Sequence, residues 1–93
     1  SSIKKDLSFI MPKDMTNESV INEIKKSSNR LLTNIEVFDL YEGENIGLEN
    51  KSIAYSLTFE DSSRTLTDEE VMEVVNNIIS SVEKNLNIKV RSI

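Results

Sequence analysis

The stretch that most constrains the fold is Lys51–Phe59, in which bulky and small residues alternate without interruption. The bulky positions are Ile53, Tyr55, Leu57 and Phe59, and the small ones are Ser52, Ala54, Ser56 and Thr58. Because side chains alternate between the two faces of a strand, a slip of one residue would move every bulky group to the other face. The pattern therefore predicts a half-buried strand of fixed register, with a second face covered only by small side chains.

A strand and a helix are predicted before this segment. Asp6–Met11 alternates in the same way and is followed by Pro12, which is typical of a strand that ends there. Thr16 is a candidate N-cap, so we expect a helix from about Asn17 to Ser27. Asn29 follows it, and asparagine tolerates a positive φ, so we expect Asn29 to be a left-handed cap.

The second strand is expected over about 33–41, and its apolar pattern is broken. Ile35 and Val37 share one parity, whereas Phe38 and Leu40 share the other. Either the strand is partly buried on both faces, or it contains a bulge near Val37. In the pairing with the neighbouring strand, we expect Phe38 and Leu40 to lie on the covered face.

A second helix and a short last strand complete the chain. Thr67 and Glu70 have the spacing of a capping box, which predicts a helix start. Apolar residues then recur at three- and four-residue spacing over about 19 residues; they are Val71, Val74, Val75, Ile78, Ile79, Val82 and Leu86. Carboxylates at 68–70 are expected from the helix dipole, so we interpret them as structural rather than as a metal site. Ile88 and Val90 indicate the last strand.

The element order predicts an α+β, ferredoxin-like β-α-β-β-α-β sandwich, in which two helices cover one face of a four-stranded antiparallel sheet. The parities assign a set of mostly small residues to the open face: Asp6, Ser8, Ile10, Asp39, Tyr41, Ser52, Ala54, Ser56 and Thr58. Such a floor could hold a flat ligand, because one ring can stack on it while hydroxyls and a carboxylate bind its edge.

Composition limits what this face can do. A chain of 93 residues has room for one domain and no enclosed active site. With no cysteine and no histidine, it lacks disulfides, thiolate zinc sites and the usual proton shuttle at neutral pH. The net charge of -5 argues against binding RNA by bulk electrostatics, so any RNA contact must be local. No apolar run approaches the length needed to span a membrane.

Four ordered strings carry a resemblance to a known family: Lys5–Phe9, Phe38–Tyr41, Lys51–Tyr55 and Arg64–Val71. They resemble the ferredoxin-fold anticodon-binding domain that closes the β subunit of bacterial phenylalanyl-tRNA synthetase. The resemblance covers essentially the whole chain. The family more often has arginine where Lys5 stands and phenylalanine where Tyr55 stands, and the latter change adds a hydroxyl that must find a partner.

The resemblance implies that residues 1–93 are a single anticodon-binding domain, the C-terminal fragment of a larger chain. Its partner would be the anticodon loop of tRNA(Phe), with Tyr41 stacking on the first anticodon base and Asp39 and Ser52 as polar partners. The domain would hold no cofactor and would not itself be catalytic. The parent phenylalanine–tRNA ligase would use ATP and magnesium, join this β subunit to a catalytic α subunit as α2β2, and be cytoplasmic.

One alternative from a different class stays open. Many domains of this topology are free-standing modules that bind a small molecule or another protein. An RNA-recognition-motif arrangement is not favoured, because Tyr55 and Phe59 are expected on the covered face. The basic residues near the two ends of the chain have two open interpretations, contact with phosphates or, as is usual for terminal basic residues, simple solvation; they are Lys4, Lys5, Lys89 and Arg91.

Overall fold

A computed structural model describes residues 1–93. The elements, in chain order, are β1 (Ile3–Pro12), α1 (Asn17–Ser27), β2 (Leu32–Tyr41), a 3₁₀ turn (Glu44–Ile46), β3 (Asn50–Phe59), α2 (Asp68–Leu86) and β4 (Lys89–Ser92). The strands form one antiparallel sheet in the order β2-β3-β1-β4. The predicted ferredoxin-like β-α-β-β-α-β fold is confirmed. Neither helix combines the length and apolar character that crossing a membrane requires.

The hydrophobic core lies between the sheet and the two helices. β1 and β3 pair without a register shift from Ile3 opposite Phe59 to Pro12 opposite Asn50. All four bulky side chains of β3 are buried, which confirms the register predicted from their alternation. Alternate residues of β1 and the apolar stripes of both helices complete this layer, and they include Leu7, Phe9, Met11, Val20, Ile24, Val71, Val75, Ile78 and Val82.

Both helices start as predicted. The Ser19 N–H donates to Thr16 Oγ1 at 3.1 Å, and the Glu70 N–H donates to Thr67 Oγ1 at 3.2 Å. The Glu70 carboxylate accepts the Thr67 hydroxyl at 3.1 Å and lies 2.7 Å from the Arg64 guanidinium. The hydrogen bond from Arg64 holds the pKa of Glu70 below its usual value. Arg64 therefore stabilises the start of α2, which agrees with the interpretation of the carboxylates at 68–70 as structural.

The prediction for Asn29 is wrong. Helix α1 ends at Ser27, its C-cap Ser28 is extended, and Asn29 has no positive φ. Its side-chain oxygen accepts the Leu31 N–H at 3.0 Å, a local bond that competes with the left-handed cap. The left-handed asparagine is Asn87, with a φ of 55° at the end of α2. The signal that could have found it is its position directly after Leu86, the last apolar residue of the helix.

Strand β2 contains the predicted bulge. Val37 pairs with Tyr55 and Asp39 pairs with Ala54, so Phe38 has no partner in β3.

The hydroxyl of Tyr55, which phenylalanine would lack, finds a partner in helix α1. It donates to Asn17 Oδ1 at 3.1 Å.

The expectation that Phe38 lies on the covered face is wrong, because Phe38 lines a cavity on the open face. Leu40 lies opposite Ile53 on the covered face, as expected, but it is not buried. Phe38 is 54% exposed and Leu40 is 57% exposed. Because β2 is an edge strand, only its first half, through Leu32 and Ile35, packs against the core. The apolar pattern of its second half therefore does not indicate contact with a helix.

Asp61, in the turn after β3, provides a test at acid pH. Its carboxylate accepts the Ser63 N–H at 2.9 Å, the Ser63 hydroxyl at 2.7 Å and an Arg30 N–H at 3.1 Å. These bonds favour the ionised form and lower the pKa of Asp61 to about 2. Since the native pKa lies below the unfolded value, the carboxylate stabilises the fold above about pH 4 and loses this effect as the pH falls towards 2.

We therefore expect Asp61→Asn to lower the urea midpoint of unfolding at neutral pH, and we expect the difference from the unsubstituted chain to shrink below about pH 4. Urea titrations of both proteins over this range measure it. A difference that stays constant down to about pH 2 would contradict the role given to the ionised carboxylate.

Candidate nucleic-acid interface

Small residues form the floor of the open sheet face. Ser8 of β1 lies opposite Ala54 of β3, and Ile10 lies opposite Ser52. The Ser8 hydroxyl shares a hydrogen bond of 2.8 Å with the hydroxyl of Ser92 in β4. Although this face has no helix over it, Ser52 is only 3% exposed and Ser8 only 7%. Other side chains of the open face must therefore cover this floor.

One side chain near the floor is Tyr41, the last residue of β2, which lies opposite Ser52 in the sheet. Its hydroxyl donates to Asn45 Oδ1 at 2.6 Å, and Asn45 belongs to the 3₁₀ turn that follows. Gly43 lies directly against the hydroxyl end of the ring, because a Cβ at Gly43 would overlap the Tyr41 oxygen and lie 2.8 Å from the ring carbon that bears it. Asn45 and Gly43 thus fix the ring from the loop side.

Arg91, from the opposite edge of the sheet, contacts the same ring. Its guanidinium carbon lies 4.5 Å from the centroid of Tyr41, a distance typical of a cation–π contact. The two residues belong to β4 and β2, the opposite edges of the sheet. Three strand spacings, about 14 Å in total, separate these two edges. They therefore meet above the floor of small residues.

Two bulges each direct an unpaired residue towards the floor of small residues. In β2 the bulge leaves Phe38 unpaired, and in β4 a register shift leaves Arg91 unpaired between Val90 and Ser92. Bulges increase the local twist and redirect side chains, and they are common beside binding sites. The bulge in β4 was not predicted, because a strand of four residues has too few positions to reveal a change of parity.

A cavity of about 220 Å³ lies between these side chains. It is lined by Asp6, Leu7, Ser8, Phe38, Asp39, Tyr41, Ser52, Ala54, Arg91 and Ser92. The three residues assigned to base contacts, Asp39, Tyr41 and Ser52, are therefore brought together. Arg91 and Phe38 also line this cavity, and neither was assigned to the base contacts. A larger hollow of about 500 Å³ between the helices is lined by serine, asparagine, glutamate and valine, and it has no ring for stacking.

The cavity combines the groups that bind a nucleobase. The Tyr41 ring supplies a stacking surface, and Asp39 can accept hydrogen bonds because it takes part in no ion pair. The Ser52 hydroxyl lies in the adjacent floor. Lys5, by contrast, is bound to Asp68 at 2.7 Å at the start of α2, so it is directed away from this cavity.

Gly43→Ala is expected to weaken base binding without unfolding the domain. The added methyl group overlaps the Tyr41 hydroxyl, so the ring must turn away and its bond to Asn45 is lost. The φ of Gly43 is -179°, an extended value that alanine adopts freely, so no backbone strain is added. We expect affinity for an RNA hairpin to fall at least about threefold, since a stacked base contributes about 1–3 kcal/mol. An unchanged affinity, with an unchanged urea midpoint, would show that the ring position does not matter.

The fold and this cavity are compatible with one class of protein, the open-faced sheets that bind nucleic acid. In such domains helices cover one face of a four-stranded sheet, and unpaired bases stack on aromatic rings of the other face.

Comparison with known proteins specifies the family. The model of the ferredoxin-fold anticodon binding domain matches residues 1–91. The chain is 42% identical over 90 residues to the phenylalanine–tRNA ligase beta subunit of Lactobacillus acidophilus, and 39% identical over 87 residues to that of Listeria monocytogenes. These matches cover 97% and 94% of the chain. The same subunit of Pseudomonas fluorescens is 37% identical over 89 residues, or 96% of the chain.

The chain therefore belongs to the ferredoxin-fold anticodon-binding domain family, as the resemblance of its motifs indicated. It spans about a tenth of the length of these relatives, since each match covers 11% of the relative.

Proposed function

We propose that the open sheet face binds the anticodon loop of tRNA(Phe) and recognises its first base. The observation that carries this proposal is the meeting of Asp39, Tyr41 and Ser52 at one cavity on the face that no helix covers. Membership of an anticodon-binding family supports the choice of RNA as the ligand. The relatives that are phenylalanine–tRNA ligase beta subunits support the choice of tRNA.

The chemistry fits a guanine at the first anticodon position. Guanine carries donors on N1 and N2, and the free carboxylate of Asp39 can accept both. Tyr41 stacks against the base plane, and the hydroxyl of Ser52, opposite Tyr41 in the sheet, is the proposed partner of a polar edge of the base. Adenine has an acceptor at N1 and lacks the N2 amino group. The Asp39 carboxylate would therefore find no donor on this edge and would be repelled by the N1 lone pair.

Affinity is expected to be modest. A stacked base contributes about 1–3 kcal/mol, and the net charge of -5 opposes the approach of RNA. The domain would therefore check one base of a tRNA that other parts of a larger protein hold. In this proposal the chain is the C-terminal part of a β subunit, and a catalytic α subunit completes an α2β2 ligase.

Aminoacylation, with its ATP and magnesium, would take place elsewhere in that cytoplasmic enzyme. The residues of this domain would contribute binding alone, and no cofactor would be held here. Phenylalanine–tRNA ligase activity is thus proposed for the parent protein and not for these 93 residues.

An NMR titration of the 93-residue domain with the anticodon stem-loop of tRNA(Phe), at low salt, tests this proposal. We expect chemical-shift changes at Tyr41, Asp39 and Ser52, and at their neighbours on β1 and β4. The matched control is a stem-loop of the same length and stem with an unrelated anticodon. Changes confined to the two helices, or equal changes with both hairpins, would contradict the proposal.

A further inference from the structure

We propose that Arg91 occupies the base-stacking face of Tyr41 in the free domain, so that an incoming base exchanges places with the guanidinium. This inference rests on the proposed function, because it concerns how the same cavity admits its base. In this proposal the guanidinium of Arg91 covers the Tyr41 ring and keeps it in place until RNA binds.

The geometry around Tyr41 leaves few routes for a base. The guanidinium carbon lies 4.5 Å from the ring centroid, which is the position that a stacked planar group would take. At the hydroxyl end, Asn45 and Gly43 contact the ring and prevent it from swinging towards the loop. Arg91 and Tyr41 both line the cavity that also contains Asp39. A base held by the Asp39 carboxylate therefore meets the ring face that Arg91 covers.

Arg91 is suited to leave this position. It is the unpaired residue of the β4 bulge, and it is exposed, so its side chain can swing out without disturbing the core. It forms no ion pair with any carboxylate of the domain, so the contact with Tyr41 is not reinforced by a salt bridge. The displaced guanidinium remains beside the cavity, where its charge faces the phosphates of the bound loop.

The exchange has a measurable consequence for a ligand that carries no phosphate. A cation–π contact at an exposed site must be broken before the base stacks, and such contacts are weak. With guanosine as the probe, Arg91→Ala should bind about 2- to 5-fold tighter than the unsubstituted domain, because alanine is too short to cover the ring. Lys89→Ala is the matched control, since it removes the same charge from the same strand and Lys89 does not line this cavity. Its affinity for guanosine should be unchanged.

Ring-current shifts give a second measurement that needs no substitution. In the free domain the Arg91 side-chain protons near the ring should be shielded, and they should move downfield as the anticodon stem-loop is added, with the same midpoint as the Tyr41 ring signals. Equal or weaker guanosine binding by Arg91→Ala would overturn the exchange, as would Arg91 protons that stay shielded while Tyr41 shifts. If the stem-loop shifts no Tyr41 signal at all, the proposed function itself fails.

Discussion

Tyr41→Ala should reduce the affinity of the domain for the anticodon stem-loop by about 5- to 150-fold, which is the alanine-substitution cost of one stacked base. The loss is large because Tyr41 supplies the stacking ring of the cavity, and contacts with Asn45 and Arg91 hold that ring in place. Titration by NMR or fluorescence anisotropy measures it. In a complete ligase, the same change should weaken use of tRNA and leave ATP-dependent activation of phenylalanine unchanged.

Tyr41→Phe is the matched control, because it keeps the ring and removes only the hydroxyl that donates to Asn45. Its loss should be clearly smaller than that of the alanine variant. Both variants should unfold at the urea concentration of the unsubstituted domain to within a small margin, since the ring lies outside the core. A parallel loss of adenylate formation, or an alanine variant that binds normally, would show that the role of Tyr41 is wrong.

Phe9→Ala should lower the free energy of unfolding by about 3–5 kcal/mol. Phe9 is fully buried in the centre of β1, where its ring centroid lies 6.4 Å from that of Tyr55. Because native domains are stable by only about 5–15 kcal/mol, this loss removes a large fraction of the total stability. Urea denaturation followed by circular dichroism measures the change.

The control for this prediction is Leu48→Ala, since Leu48 is 69% exposed and is not part of the core. Its effect should stay within about 0.5 kcal/mol. A loss below about 1 kcal/mol for Phe9→Ala would contradict the central position given to this ring.

The fold could be predicted from the sequence because its strongest patterns are local. The alternation in β3 fixed which face meets the helices, and Thr16 and Thr67 marked both helix starts to the residue. The two asparagines show how helix ends can be misjudged. Asn87 follows Leu86 directly and adopts the left-handed form, whereas Asn29 lies two residues beyond the end of α1 and its side chain accepts the Leu31 N–H.

The site could be predicted only in part. Asp39, Tyr41 and Ser52 were named from the open-face parity and the family motifs, and the structure brings them to one cavity. Arg91 could not be assigned to Tyr41, because the two lie 50 positions apart and meet only when the sheet places β4 and β2 at its edges. Phe38 was assigned to the covered face from the parity that it shares with Leu40, and the bulge at Phe38 breaks that parity.

The central claim is that one base is recognised on the open face, and a two-by-two measurement of dissociation constants tests it most directly. The domain and its Asp39→Asn variant are each titrated with the anticodon stem-loop carrying guanine or adenine at the first anticodon position. We expect the unsubstituted domain to prefer guanine several-fold and the variant to lose most of that preference, because its neutral amide no longer favours the N1 and N2 donors over an acceptor. Equal affinity for both hairpins, or an unchanged preference in Asp39→Asn, would contradict the account.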